Sequence, residues 1–288
     1  MFAPKYYTTF RCLADRCTHS CCVGWEIDVD ADTLAYYRAL PSPIKDDILG
    51  GIACDGEGAH FALCESGKCP NLDERGLCRI ISALGEGALC DICREHPRFY
   101  NEVAGRLEVG VGAACEAAAG LILSSDAYAE ILPLDEVENG FDADAFDAVA
   151  ARDAVYAVLG DRTQDYAKRR EEIARPCSFC YDGARAKALL SDLEYMDEAH
   201  RALLLHVAEE PRGAAHALLC ERFLAYLIYR HASPAVSAAA FDAALRMALF
   251  LEEIFARLLA SGRDAVQAAI LLSEEIEYSE DNTAALLQ

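Results

Sequence analysis

The sequence lacks a long apolar run. Its most apolar segments, such as the ACEAAAGLIL stretch that contains Glu116, fall short of the roughly 18 residues that a membrane-spanning helix needs. The first residues, MFAPKYYTTFRC, hold no apolar core of the length found in signal peptides. These features predict a cytoplasmic protein that has no membrane partner.

Basic residues are also scarce. The chain has five lysines, and Lys and Arg together number 26 against 48 acidic residues, which gives a net charge of −22. Such a charge repels the phosphates of nucleic acids and argues against a general nucleic-acid binder. Surplus acid mainly supplies solubility, and it would favour a basic protein as a partner.

Cysteine, by contrast, is abundant. The chain has 288 residues, 53% of them hydrophobic, so it can bury a large core in one or two domains. Eleven of its 14 cysteines fall between residues 12 and 115, and Cys177, Cys180 and Cys220 follow later. In a reducing compartment this usage indicates metal binding or catalysis rather than disulfides.

The distribution of cysteine divides the chain by its chemistry. A mainly α protein is predicted, with a small cysteine-rich α+β metal-binding module over residues 1–125 and a helical bundle over residues 126–288. Between them, residues 126–147 hold eight acids and no base, which is typical of a solvated linker or of the capped start of a helix. No strand is expected after residue 126.

Local patterns predict the elements of the first part. Apolar and acidic residues alternate over residues 25–30, as in a half-buried strand. Residues 99–112 read as a hairpin that turns near Ala104-Gly105. A short helix is expected to start at Asp32 as its N-cap and to stop at Pro41.

Turn and cap residues predict two helices of the second part. One should open at Pro211 and run through ALLCERFLAYLIYRH. The other should have Ser233 as N-cap, Pro234 at its first position and Gly262 just past its end.

The spacing of nine cysteines predicts a metal centre. C-x4-C-x3-C-C is followed by C-x8-C-x11-C-x2-C and by one more cysteine, and a C-x2-C pair lets two thiolates reach one ion. Thiolates select zinc or an iron–sulfur cluster. Nine exceed the four that one shell needs, so some must pack, adjoin the metal or be redox-active. The candidates are Cys12, Cys17, Cys21, Cys22, Cys69, Cys78, Cys90, Cys93 and Cys115.

The remaining chemistry-bearing residues are interpreted as structural. A lone histidine or cysteine, an aromatic stripe on a helix and an arginine after a metal pair more often pack or hydrogen-bond than act on a substrate. The group comprises His19, His60, His96, Cys54, Cys64, Cys177, Cys180, Cys220, Trp25, Arg98, Glu221, Tyr226 and Tyr229. The glycine-rich GVGAAC, Gly110 to Cys115, is interpreted as a tight turn rather than a phosphate loop.

Several segments resemble the flagellin lysine N-methylase family. They are FRCLADRCTHSCCVGWEIDVD, GKCPNLDERGLCRIISALGEGALCDICREHPR and ACEAAAGLIL, and CERFLAYLIYRH and EEIEYSEDN are similar to the family's later segments. The first segment is also similar to a broader class of cysteine-rich zinc- or iron-chelating domains. The resemblance implies S-adenosylmethionine-dependent methylation of the ε-amines of flagellin lysines, with an associated [4Fe-4S] cluster, whereas the spacing alone indicates only a metal.

Two alternatives stand beside that function: a non-catalytic module that binds zinc or iron, and a redox protein. The C-x3-C-C spacing departs from the C-x3-C-x2-C motif of radical S-adenosylmethionine enzymes, and the sequence has no pattern of a (β/α) barrel. The sequence therefore assigns neither a catalytic residue nor a methyl-donor site. Flagellin or another lysine-bearing protein is the expected substrate.

Overall fold

The structure, a computed structural model, describes residues 1–56, 58–135, 146–213 and 215–288. It is mainly α, as predicted. The strands are β1 (Phe2–Pro4), β2 (Ile27–Asp28), β3 (Ile52–Cys54), β4 (Ala59–Phe61), β5 (Arg98–Val103), β6 (Arg106–Val111) and β7 (Ile131–Pro133). The helices are α1 (Ala31–Ala39), α2 (Ile44–Leu49), α3 (Arg79–Leu84), α4 (Asp91–Glu95), α5 (Glu116–Ser124), α6 (Ala148–Leu159), α7 (Tyr166–Ala174), α8 (Gly183–Ser191), α9 (Glu198–Val207), α10 (Ala217–Leu227), α11 (Ala238–Ala260), α12 (Ala265–Leu272) and α13 (Glu280–Leu286). Two short π-helical turns, Ile228–Ala232 and Ser273–Glu277, are called the π segments below.

The chain divides into two compact units. The cysteine unit is Arg11–Arg98, and the helical unit joins Met1–Phe10 to Phe99–Gln288. These bounds differ from the division at residue 125, because β1, β5 and β6 form a sheet with β7 and because α5 packs on α10 and α12. The predicted division at residue 125 was based on the distribution of cysteines, whereas the two compact units are defined by contacts. A division by chemistry at residue 125 therefore stays a prediction.

The cysteine unit contains a small antiparallel sheet in the order β2-β4-β3. Ile27 and Ile52 both pair with Phe61, which places three apolar side chains at the centre of the unit. The strand predicted over residues 25–30 is shorter than expected. Helix α1 ends before Pro41 as predicted, but its N-cap is Asp30 rather than Asp32, since Asp30 Oδ1 accepts the N–H of Thr33 at 2.8 Å.

The helical unit contains a four-stranded sheet in the order β5-β6-β1-β7. The predicted hairpin is present: β5 and β6 are joined at Ala104 and Gly105, which have φ of 47° and 77°, the left-handed values that a two-residue hairpin turn requires. Strand β7, however, was not expected. It is three residues long and forms by antiparallel pairing with β1, a distant partner that no local pattern reveals.

The helix starts show where local cap signals compete. Helix α10 begins at Ala217 rather than Pro211, and α11 begins after Ser237 rather than Ser233. Ser237 caps α11 by accepting the N–H of Ala240 at 3.1 Å, whereas the buried Ser233 accepts a hydrogen bond from a guanidinium. Gly262 follows the helix end as predicted.

The end of α11 is a Schellman motif. Gly262 has φ +90°, its N–H donates to the carbonyl of Leu259 at 3.0 Å, and the N–H of Arg263 donates to that of Leu258 at 3.1 Å. At the start of α6, Asp147 is the N-cap and accepts the N–H of Ala150 at 2.9 Å. The capped-start interpretation of residues 126–147 thus holds at Asp147, while residues 136–145 lie outside the described residues.

Among the helices in the described ranges, none combines the length and the apolar character that crossing a membrane requires.

Candidate functional site

Five of the predicted ligands gather in the core of the cysteine unit. Cys69 and Cys90 are buried members of that core, and Cys22, Cys78 and Cys93 pack against it. We refer to these five residues as the thiol core. Soft sulfur donors from four separate stretches of chain thus meet in one place.

Backbone pairing explains the convergence. The N–H of Cys69 donates to the carbonyl of Cys22 at 2.8 Å, which joins the two stretches side by side. A β-bridge between Leu72 and Cys78 folds the chain back after Cys69. Cys90 lies at the N-cap of α4 and Cys93 lies within that helix, so the C-x2-C pair occupies one turn as its spacing predicts.

The thiols influence one another's ionisation. A hydrogen bond between Cys90 and Cys93 lowers the pKa of Cys90 and raises that of Cys93. A hydrogen bond from Cys21 lowers the pKa of Cys22 to about 7, against the opposing effect of burial. Burial, with a smaller contribution from the charge of Cys22, raises the pKa of Cys69 to about 11. Two thiols are therefore biased toward thiolate, the form that binds a metal.

The donors fit a thiolate-bound metal in type and in number. The charges of Cys22 and Cys90 also raise the pKa of Cys78, so these sulfurs lie within electrostatic reach of one another. A cation would favour their ionised forms. Across the described ranges, no group of three or more His, Cys, Asp or Glu side chains is already arranged as a metal site. The metal centre is accordingly a proposal.

The other four predicted ligands lie outside the thiol core. Cys12 is exposed and its sulfur accepts the N–H of Ala14, while the Cys17 thiol donates to the carbonyl of His19 at 2.7 Å. Cys21 is half-buried beside Cys22. Cys115 belongs to the helical unit, where it is the N-cap of α5. The full set of nine ligands stays a prediction.

The histidines and the tryptophan of the cysteine unit make ordinary structural contacts. Trp25 donates to the carbonyl of Cys21 at 2.7 Å and meets His96 edge-on, with ring centroids 6.0 Å apart. His60 lies 3.4 Å from Glu26 and 3.8 Å from Asp55. These contacts agree with the interpretation of Trp25, His60 and His96 as structural.

The cysteines of the later sequence are dispersed. Cys177 is buried and its thiol donates to the carbonyl of Ala174 at 3.3 Å, whereas Cys180 is exposed. Cys220 is buried, and burial raises its pKa to about 12. Cys54 and Cys64 are exposed on the cysteine unit. Nothing in these placements adds a ligand to the thiol core.

A second group of polar residues, in the helical unit, was not singled out as functional by the sequence. His231 Nε2 lies 2.6 Å from Glu277 Oε1, so each π segment contributes one partner. The Tyr226 hydroxyl donates to Glu277 Oε2 at 3.0 Å and accepts hydrogen bonds from Arg230 and from the N–H of Ala113. We call His231, Glu277, Arg230 and Tyr226 the polar cluster.

Charge in the polar cluster is fixed by Arg230. Burial alone would raise the pKa of Glu277, but the charge of Arg230 and the hydrogen bond with His231 lower it to about 2. Burial lowers the pKa of His231, and Arg230 lowers it further against the pull of Glu277. A buried carboxylate thus sits against a neutral imidazole.

Part of this chain is similar in sequence to known proteins of Salmonella. Neither a family model nor a solved structure matches the chain. The flagellar biosynthetic protein FliU of Salmonella muenchen is 31% identical over 131 residues, an alignment that covers 42% of this chain and 75% of that protein. The chain belongs to the flagellin lysine N-methylase family. Proteins named lysine-N-methylase from Salmonella typhimurium and Salmonella choleraesuis are also 31% identical over 131 residues.

Coverage of the family's members is uneven. The alignment spans 32% of each of the two lysine-N-methylases, about a third of their length. Two segments by which this chain resembles the flagellin lysine N-methylase family, CERFLAYLIYRH and EEIEYSEDN, supply the polar cluster apart from its contact with Ala113. The sequence feature that could have indicated the polar cluster is the presence of charged residues within strongly apolar helical stretches. It could not show that residues 46 positions apart would pair.

Proposed function

We propose that this protein is a lysine N-methyltransferase that transfers a methyl group from S-adenosylmethionine to the ε-amines of flagellin lysines, with an iron–sulfur cluster held by the thiol core. The supporting observation is the 31% identity to proteins named lysine-N-methylase. The gathering of five cysteines in one core supports the metal part of the proposal.

Methyl transfer sets a clear demand on the protein. The ε-nitrogen must attack the methyl carbon with a lone pair, which the ammonium form does not have. A site that methylates lysine near neutral pH must therefore lower the pKa of the amine by desolvation or remove its proton with a positioned base.

The thiol core provides more than one ligand arrangement. Four thiolates would close the coordination of a cluster, and three would leave one iron open. An open iron, when the cluster is bound, would provide a place for the amino and carboxylate groups of the methyl donor. Cys22 and Cys90 are the strongest candidates for ligands because their pKa values are lowered.

Overall charge favours a cationic partner. A net charge of −22 attracts a lysine-bearing surface from a distance, and added salt weakens this attraction. This contribution affects the rate of association more than the choice of lysine.

The test begins with anaerobic purification of the chain, followed by iron, sulfide and zinc analysis and then by an assay with flagellin and S-adenosylmethionine. We expect about four irons and four sulfides per chain, and mass spectrometry should find methyl groups on flagellin lysines. Stoichiometric zinc in a colourless protein would contradict the cluster and would favour the zinc-binding alternative. A protein that leaves flagellin unmethylated would contradict the activity.

A further inference from the structure

An open cleft lies in the cysteine unit, between the first turns of α1 and the stretch that leads into α4. Its volume is about 260 Å³, which is below the roughly 300–1,000 Å³ of pockets that enclose a whole small-molecule ligand. A cleft of this size suits one side chain of a protein partner. We call it the acidic cleft, and the residues of its lining that matter here are Asp30, Asp32, Tyr36, Leu89, Asp91 and Arg94.

Asp30 holds the two walls of the acidic cleft together. Its Oδ1 accepts the N–H of Thr33 at 2.8 Å and its Oδ2 accepts the N–H of Asp91 at 3.0 Å, so one carboxylate links the first turns of α1 and α4. The oxygens of Asp30 are thereby occupied by backbone donors. The cleft is held in shape before a ligand arrives, which lowers the cost of binding.

A second carboxylate of the cleft has no protein partner. Asp91 is paired with Arg94, and Arg94 Nε also lies 3.5 Å from Glu95. Asp32 is exposed, and within the ranges that the structure describes its carboxylate makes neither a hydrogen bond nor an ion pair. Beyond Asp30, the cleft therefore carries the uncompensated charge of Asp32, which favours a ligand with one positive charge.

An exposed tyrosine lies beside that charge. Asp32 and Tyr36 are four residues apart on α1 and share one face of the helix, whereas Tyr37 is fully buried in the core. Tyr36 is 45% exposed, and its ring can cover the stem of a long side chain or meet a cation. A carboxylate and an aromatic ring at this spacing match the ammonium and the four-carbon stem of lysine.

We propose that the acidic cleft anchors a lysine side chain of the protein substrate, with its ammonium at Asp32 and its stem along Tyr36 and Leu89. This inference rests on the proposed function and adds a place where the substrate is held. The anchored lysine is a neighbour of the reacting lysine. It is not the reacting one, because a carboxylate stabilises the ammonium and so opposes the loss of a proton that methyl transfer requires.

The cleft would hold the substrate next to the thiol core. Leu89 directly precedes Cys90, and the carbonyl of Ala88 accepts the hydroxyl of the buried Tyr37 at 2.7 Å. The backbone that lines the cleft thus continues into α4, which has Cys90 at its N-cap and contains Cys93. The anchor and the proposed cluster therefore belong to one compact unit.

Asp32→Asn in the anaerobically purified full chain tests the anchor, with Asp47→Asn as its matched control. Asp47 is also an exposed acid in the first turn of a helix of the cysteine unit, and it lies outside the cleft. Asp32→Asn should weaken flagellin binding about threefold, the scale of one exposed ion pair, and should raise KM rather than lower kcat. Asp47→Asn should behave as the wild type. Equal effects of the two variants, or a loss confined to kcat, would overturn the inference.

Nuclear magnetic resonance with a small probe tests the cleft without flagellin and without methyl transfer. Nα-acetyl-lysine amide should shift the backbone amide signals of Asp32, Tyr36 and Asp91. The norleucine analogue, which has a similar stem and no charge, should leave these signals in place, as should the lysine probe added to Asp32→Asn. Shifts that arise elsewhere, or none, would overturn the inference. A chain that binds the probe in the cleft but leaves flagellin unmethylated would remove the proposed function and leave the cleft as a lysine-binding site.

Discussion

The two units differ in the interactions that can stabilise them. In the helical unit, α11 alone has 23 residues, most of them buried, and it packs on α9, α10 and α12. In the cysteine unit the longest helix has nine residues, the strands have two or three, and the buried core includes Cys69 and Cys90. The helical unit can be stabilised by apolar burial, while the cysteine unit is short of apolar core and rich in thiols.

The comparison indicates what each unit is for. Small units with a limited core commonly depend on a metal for stability, and thiolate sites release protons when the metal binds. The helical unit instead buries charged side chains that are paired, such as Arg152 with Glu108 at 2.6 Å. We infer that the cysteine unit would be organised around the proposed metal and that the helical unit is a preformed scaffold for the polar cluster.

The largest expected effect is that of metal removal. Structural zinc contributes on the order of 10 kcal/mol in small zinc-binding folds, so a chelator should unfold much of the cysteine unit. Hydrogen exchange should then show lost protection around Cys69 and Cys90 and unchanged protection in α11. Equal loss in both units, or none in either, would contradict the comparison.

A pair of cysteine variants sharpens that test. Cys90→Ser should lose the stoichiometric metal, because Cys90 is a buried member of the thiol core. Cys180→Ser should retain it, since Cys180 is exposed in the helical unit. Metal analysis of the two variants is the measurement, and a Cys90→Ser protein with full metal content would remove Cys90 from the ligands.

A smaller effect is expected from breaking a buried ion pair of the helical unit. Glu108→Gln removes the buried carboxylate partner of Arg152, which is 1% exposed, and leaves it, among the described carboxylates, only the 3.7 Å contact with the exposed Asp153. Loss of one partner of a buried ion pair costs about 3–5 kcal/mol of unfolding free energy. Denaturant unfolding of the helical unit measures the loss. Glu198→Gln is the control: its carboxylate is 82% exposed beside Arg201, so the change should be below about 1 kcal/mol.

The smallest effect concerns the N-cap of α1. Asp30→Ala should cost about 1 kcal/mol in the cysteine unit, and Asp32→Ala should cost little, because Asp30 accepts the N–H of Thr33 and of Asp91. Those hydrogen bonds lower the pKa of Asp30 below its unfolded value, and the one from the N–H of Asp91 has the largest effect. The contribution is therefore complete above the ordinary carboxyl pKa and is lost as the pH falls through the lower folded value. Urea unfolding at neutral and acidic pH tests it, and equal costs for both variants would identify the wrong cap.

Local signals explain what the sequence could predict. The hairpin around Gly105 and the helix end at Gly262 were predicted because each depends on a few adjacent residues with a special backbone conformation. The C-x2-C spacing likewise identified Cys90 and Cys93 as a pair. Helix starts were less certain because Ser233 and Ser237 both suit an N-cap, and burial decided between them.

Long-range contacts explain what the sequence could not predict. Strand β7 depends on pairing with β1, more than a hundred residues earlier in the chain, and its own three residues carry no strand pattern. Nine cysteines were candidate ligands by spacing, and the fold separates the thiol core from Cys12, Cys17, Cys21 and Cys115. The contact between His231 and Glu277 is likewise set by packing of two helices.

The central claim is that the thiol core binds a metal through sulfur. X-ray absorption spectroscopy of the anaerobically purified chain at the iron edge tests it most directly. The account predicts iron surrounded by sulfur at about 2.3 Å, a normal metal–thiolate distance, with a second iron nearby as in a cluster. A metal-free chain, or a metal bound mainly by oxygen and nitrogen, would contradict it.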